Sequence, residues 1–233
     1  MTGHTGRQLA LNVHLRDDAT LENYLPLGTS ELLLQSLQGQ LSPEGEPIIY
    51  VHGPADSGRT HLLQAACHLA GAEAQYLPLA ELQSYPPADI LQSIETLKLV
   101  CLDDLQAVLG QAEWESELFH LFNRARENQC RLLVSADAAP RALKVDLADL
   151  RSRLGWGIVY RLPTVTDEQR EQLIVFRASR RGLSLAPEVA SYIVSRATRS
   201  MDSLLGLLDT LDKASLAQQR SLSIPFVKAT LGW

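Results

Sequence analysis

Residues 53–60 read Gly53-Pro54-Ala55-Asp56-Ser57-Gly58-Arg59-Thr60, a spacing suited to holding phosphate. The two glycines let backbone N–H groups close around an anion, and the dipole of a following helix favours negative charge there. The general pattern G-x-x-x-x-G-K-S/T has lysine where Arg59 stands. Arginine keeps the positive charge, but it is planar and bulkier and is not a neutral exchange. Arg59 is expected to donate to a nucleotide β-phosphate and the Thr60 hydroxyl to help hold Mg²⁺, with His61 completing the binding segment. The plain alternative is a glycine turn without a ligand. The apolar run Ile48-Ile49-Tyr50-Val51 directly upstream, and an acidic motif downstream, argue for the phosphate loop.

That second motif is Leu99-Val100-Cys101-Leu102-Asp103-Asp104, an apolar strand ending in two acids. Asp103 is expected to hold Mg²⁺ through water, and Asp104 to orient or activate an attacking water. The alternative is an acidic pair that merely caps a buried strand. Ser135 and Asp137 close a later apolar run and suit either a polar sensor near a γ-phosphate or a loop-start cap.

These groups need a scaffold that places them at strand ends. Apolar runs at Ile48–Val51, Gln75–Leu79, Leu97–Leu102, Arg131–Ser135 and Gly157–Leu162 alternate with helical patterns at Thr60–Leu69 and Glu113–Asn128. A short helix is expected between the last two strands. Strands alternating with helices at this spacing predict a mainly parallel α/β sheet. After Pro163 the strand pattern stops. Helices are expected over Thr166–Arg181, with an N-cap at Thr166 and Gly182 as the stop. Others are expected over Pro187–Arg196, Ser200–Gln219 and Pro225–Leu231. The reading is therefore an N-terminal arm (1–17), an α/β nucleotide-binding domain (18–163) and a small all-α lid (164–233).

The chain of 233 residues carries a formal net charge of −6 and a pI near 5.5, which argues against a non-specific nucleic-acid coat. Cys67, Cys101 and Cys130 lack paired spacing and lie in apolar contexts, as reduced core residues do. Six histidines form no metal-ligand grouping. The N-terminus lacks a signal-peptide layout, and no apolar run reaches the ~18 residues of a membrane span. A soluble, cytoplasmic protein without membrane partners is expected.

With these motifs in order, the chain from about Thr20 to Trp233 resembles an AAA+ module of the DnaA clade. The most specific segment is Leu150-Arg151-Ser152-Arg153-Leu154-Gly155-Trp156-Gly157, similar to the clade's L-K/R-S-R-F/L-G-W-G box. By that resemblance Arg153 is an arginine finger, which reaches the nucleotide of an adjacent subunit and stabilises charge on the transferring phosphoryl group. The alternative is an arginine paired with an acid of its own chain. Gln8-Leu9-Ala10-Leu11 resembles the Q-L-x-L start of a sliding-clamp-binding peptide, although the alternation of Leu9, Leu11 and Val13 also suits an edge strand. No DNA-binding domain is expected after the lid, and no separate domain is expected before the AAA+ core. Both points favour the branch of the clade whose members inactivate DnaA.

The resemblance further implies ADP, or ATP, with Mg²⁺ as ligand. It implies DnaA and the β sliding clamp of DNA polymerase III as partners. DNA would be met mainly through the clamp, and self-association stays open. The clade's lid sensor arginine falls at Asp202, where a carboxylate would repel a γ-phosphate; Arg199 lies three residues earlier. Together with Arg59 this implies weak hydrolysis in cis and a diphosphate ligand. The expectation is a negative regulator of replication initiation that acts through Arg153 in trans. An active ATPase loader of the same clade and a nucleotide-stiffened scaffold are the alternatives.

Overall fold

The apolar runs of the first two-thirds form five strands in the computed structural model, which describes residues 15–28, 30–198 and 200–233. They are β1 (Ile48–His52), β2 (Ala74–Pro78), β3 (Leu99–Asp103), β4 (Arg131–Ala136) and β5 (Ile158–Arg161). All pair in parallel, in the order β2-β3-β4-β1-β5. Alternation explains the uninterrupted apolar sequences. Ile48 and Tyr50 face one core while Ile49 and Val51 face the other. A strand covered on both faces has no polar side to present.

Helices α1 (Ser30–Gly39) and α2 (Arg59–Ala70) bring Leu33, Leu37, Leu62, Leu63 and Ala66 to one face of the sheet. The short α3 (Leu79–Leu82) and α4 (Pro87–Leu91), then α5 (Ala112–Glu127) and α6 (Ala148–Leu154), cover the other. The expected strand over Gln75–Leu79 ends at Pro78, and Leu79 opens α3 instead. Proline presets φ but donates no N–H, which suits a strand end. The third strand begins at Leu99 rather than Leu97. The chain divides after Pro163, with residues 1–163 and 164–233 as separate compact units.

The second unit contains α7 (Asp167–Arg180), α8 (Pro187–Arg196), α9 (Met201–Gln218) and α10 (Ile224–Leu231) around Ile174, Ile193, Leu204, Leu208, Leu211 and Phe226. A capping box starts α7. The Thr166 hydroxyl accepts from the Gln169 N–H at 3.2 Å, and the Gln169 side chain accepts from the Thr166 N–H at 3.0 Å. This satisfies two helix-start donors at once. Gly182, at φ +75°, follows the helix where glycine carries no Cβ penalty. No helix among the described residues is long and apolar enough to cross a membrane.

Candidate nucleotide site and arginine box

The loop between β1 and α2 is shaped by its glycines. A Cβ at Gly53 would sit 2.7 Å from the Leu162 carbonyl oxygen and 2.9 Å from the Ser57 Oγ. Gly58 has φ +94°, and a Cβ there would lie 3.2 Å from the Tyr24 ring. Neither position admits a side chain without rearrangement. Pro54, Ala55, Asp56 and Thr60 are exposed, whereas Gly53 and Ser57 are buried. His61 Nε2 meets the Thr20 carbonyl at 2.8 Å, and its ring lies 5.7 Å from that of Tyr24. Residues 16–24 thus lie along α2; Arg16, within the 1–17 arm, donates its N–H to Gln64 Oε1 at 3.0 Å.

Arg59 turns inward. Its Nη1 donates to the Gly53 carbonyl and to the Pro54 carbonyl at 3.1 Å, and its Nη2 to Asp104 Oδ1 at 2.8 Å. Burial, then Arg161, then Arg59 lower the pKa of His52 at the end of β1. Ser57 Oγ and Arg59 Nε are buried without a hydrogen-bond partner among the described residues. A glycine cradle and two orphaned polar atoms, one of them on a guanidinium, fit the phosphates of a nucleotide.

The two acids at the end of β3 differ. Asp103 is 2% exposed. The Ser135 hydroxyl donates to its Oδ1, and the Tyr76 hydroxyl donates to its Oδ2 at 2.7 Å. Burial and this carboxylate raise the Tyr76 pKa, which keeps the phenol a donor. Both oxygens of this buried carboxylate are thus already engaged, which suits contact with a metal through water better than direct ligation. Among the described residues no cluster of three or more His, Cys, Asp or Glu side chains could hold a metal, so Mg²⁺ fits here only together with a nucleotide. Ser135 is wholly buried and also accepts from the Asp104 N–H at 3.0 Å. It orders the two acids rather than facing a ligand. The Asp137 N–H donates to Gln106 Oε1 at 3.1 Å.

The arginine box lies at the other end of the sheet. β5 runs parallel to β1, with Ile158 opposite Ile49. Residues 153–157 therefore adjoin the start of β1, and a Cβ on Gly157 would collide with the Ile48 carbonyl. The phosphate loop leaves the far end of the same strand. At ~3.3 Å per residue, β1 separates them by roughly 15 Å. Arg153 Nε donates to Asn123 Oδ1 at 3.0 Å, and its guanidinium lies 4.0 Å from the Trp156 ring centroid and 5.3 Å from that of Phe119. No acid of its own chain is needed to orient it.

A residue that sequence reasoning missed holds this helix in place. Glu115 on α5 is 1% exposed and accepts from the N–H groups of Gly110 (2.8 Å), Asp146 (3.1 Å) and Leu147 (2.6 Å). Burial pushes its carboxyl up. The three donors and Arg151 outweigh that and hold it below the usual carboxylate range. An acid within the apolar stripe Trp114, Leu118, Leu121 and Phe122 was the available signal. Arg151 donates to the Val145 carbonyl, tying the same turn from the other side.

Gln8, Leu9 and Leu11 lie outside the described residues, as does Arg199. Asp202 is in the first turn of α9, whose N-cap is Ser200. A carboxylate there complements the helix dipole. All three cysteines are free and buried, and burial with nearby Glu95 pushes the Cys130 thiol to about 12.

A five-stranded parallel sheet with a phosphate loop, an acidic strand end and a separate helical unit defines an AAA+ module with a lid. Residues 35–161 match the bacterial DnaA ATPase domain family, and residues 167–231 match the family described as Hda, lid domain. An uncharacterized protein of Haemophilus influenzae strain Rd is 45% identical over 229 residues, covering 97% of this chain and 98% of that one. The fold also matches domain III of Thermotoga maritima DnaA, with a TM-score of 0.74 at 20% identity over 94% of this chain and 98% of that one. AMPPCP-bound DnaA from Aquifex aeolicus matches at 0.69 and 23% identity, over 89% of this chain and 67% of that one. The chain belongs to the DnaA-clade AAA+ family, in its Hda-like branch.

Proposed function

We propose that this protein is a negative regulator of replication initiation that activates ATP hydrolysis in DnaA by supplying Arg153 in trans. The observation that carries this reading is the separation of Arg153 from its own phosphate loop by the length of β1. A guanidinium so placed can serve only a nucleotide held by another molecule. Phe119, Trp156 and Asn123 hold it ready, so little conformational freedom is lost on contact.

Its own loop is proposed to bind ADP, or ATP, with residues 53–61 around the phosphates. A DnaA relative in Aquifex aeolicus is bound to AMPPCP, which supports a nucleotide here. The bound Mg²⁺ would neutralise phosphate charge, with the Thr60 hydroxyl beside it and Asp103 reaching it only through water. Docking on the DNA-loaded sliding clamp is proposed for residues 8–13, with Gln8, Leu9 and Leu11 as the contacts. DNA is then met through the clamp, and the protein works in the cytoplasm.

The test is phosphate release from ATP-loaded DnaA with clamp and DNA present. Arg153→Ala should lose roughly 10³–10⁵ in stimulated rate while keeping ADP binding and clamp binding. Arg153→Lys should recover little, because a point charge does not reproduce the planar fork. Full stimulation by the alanine variant would instead favour a nucleotide-stiffened scaffold.

A further inference from the structure

Arg59 and Asp104 form an ion pair whose two ends are both fixed. The arginine side chain is 11% exposed and its partner 31%. Arg59 is anchored by the Gly53 and Pro54 carbonyls. Asp104 holds a left-handed backbone conformation at φ 55°. Its N–H donates to Ser135 Oγ at 3.0 Å, and its Oδ1 also accepts from Gln106 Nε2 at 3.0 Å. The pair therefore differs from a surface contact between two flexible chains, which contributes little. It joins the first turn of α2 to the end of β3 across the phosphate loop.

A phosphate held in that loop calls on the same guanidinium. Two anions, one covalently part of the chain and one brought by the ligand, meet a single guanidinium cation. We infer that Asp104 competes with nucleotide phosphate for Arg59, so that the acid ending β3 sets how tightly this chain holds a nucleoside diphosphate. The inference rests on the assignment of residues 53–61 as the nucleotide site. It gives Asp104 a role that the sequence motif alone does not suggest, as a brake on binding.

The test is a double-variant cycle read by calorimetry with ADP and Mg²⁺. It uses wild type, Asp104→Asn, Arg59→Ala and the double variant, with Asp104→Ala as a second form of the acid deletion. Thermal unfolding checks that each is folded. Removing the acid should tighten ADP binding roughly 3–10-fold in the Arg59 background. The gain should fall below about twofold in the Arg59→Ala background, where there is nothing to compete for. Where Arg59→Ala binds too weakly for calorimetry, the ratio comes from the unfolding midpoint at millimolar ADP. An equal gain in both backgrounds would mean that Asp104 acts on the phosphate only through its field, and the competition would be disproved. An unchanged affinity in Asp104→Asn and Asp104→Ala would disprove it too. A folded wild type that binds no ADP at all would instead remove the nucleotide site itself, and the competition with it.

Discussion

The Arg153 guanidinium carbon lies 4.0 Å from the centroid of the Trp156 ring, while Arg126 lies 5.0 Å from the same ring. Trp156 is 42% exposed, so the indole is not there to fill the core. It fixes the direction of an arginine whose Nε is already tied to Asn123. A cation over an aromatic face gains ~0.5–2 kcal/mol, enough to hold one orientation among several.

Trp156→Ala is therefore expected to keep the fold and ADP binding but to lower stimulated ATP hydrolysis in DnaA by roughly 3–30-fold, from the same range of energies. Trp156→Phe should recover much of it. Phosphate release from ATP-loaded DnaA measures both. An alanine variant with unchanged stimulation would show that Asn123 and Phe119 suffice to aim Arg153.

Glu115 should make the turn before α6 sensitive to acid. Its carboxyl is held below the ordinary value of 4.5, so ionisation stabilises the folded state above that pH. The contribution fades as pH falls through the lowered folded value. Glu115→Gln should cost about 1–3 kcal/mol at pH 7, as three backbone donors lose a charged acceptor. The gap from wild type should narrow in acid. Urea midpoints at pH 7 and at successively lower pH decide this; a gap independent of pH would assign the loss to packing.

The proposed clamp docking falls on residues 8–13, ahead of the first described contacts near Arg16. Replacing Gln8 and Leu9 together by alanine should abolish capture of the sliding clamp and leave ADP binding as it was. Clamp capture equal to wild type would return the segment to an edge-strand role.

The sheet was legible because its strands are covered on both faces and therefore read as unbroken apolar runs. The lid was legible because Thr166 and Gly182 mark helix ends. Helix α1 was not foreseen. Leu32, Leu33 and Leu34 are consecutive, and three leucines in a row give no helical phase. Only the fold shows that Leu33 is buried and Leu32 is 63% exposed. The site motifs gave residue types and order but not partners. Arg59 with Asp104, Asp103 with Tyr76 and Glu115 with Leu147 are 45, 27 and 32 positions apart. Such pairings depend on strand order, which local periodicity does not encode.

The parallel sheet also gives the molecule a polarity. On the proposed reading, one end of β1 carries a loop built to receive a guanidinium, and the other end carries the guanidinium to be given. A contact built from those two ends is heterologous, and its repeats make rows with a direction rather than closed pairs. On the proposed reading the giving end is intact, whereas the receiving end already has an arginine and a carboxylate locked together. Such a molecule can complete a neighbour's site while its own stays idle, and so it would cap the end of a row rather than extend it.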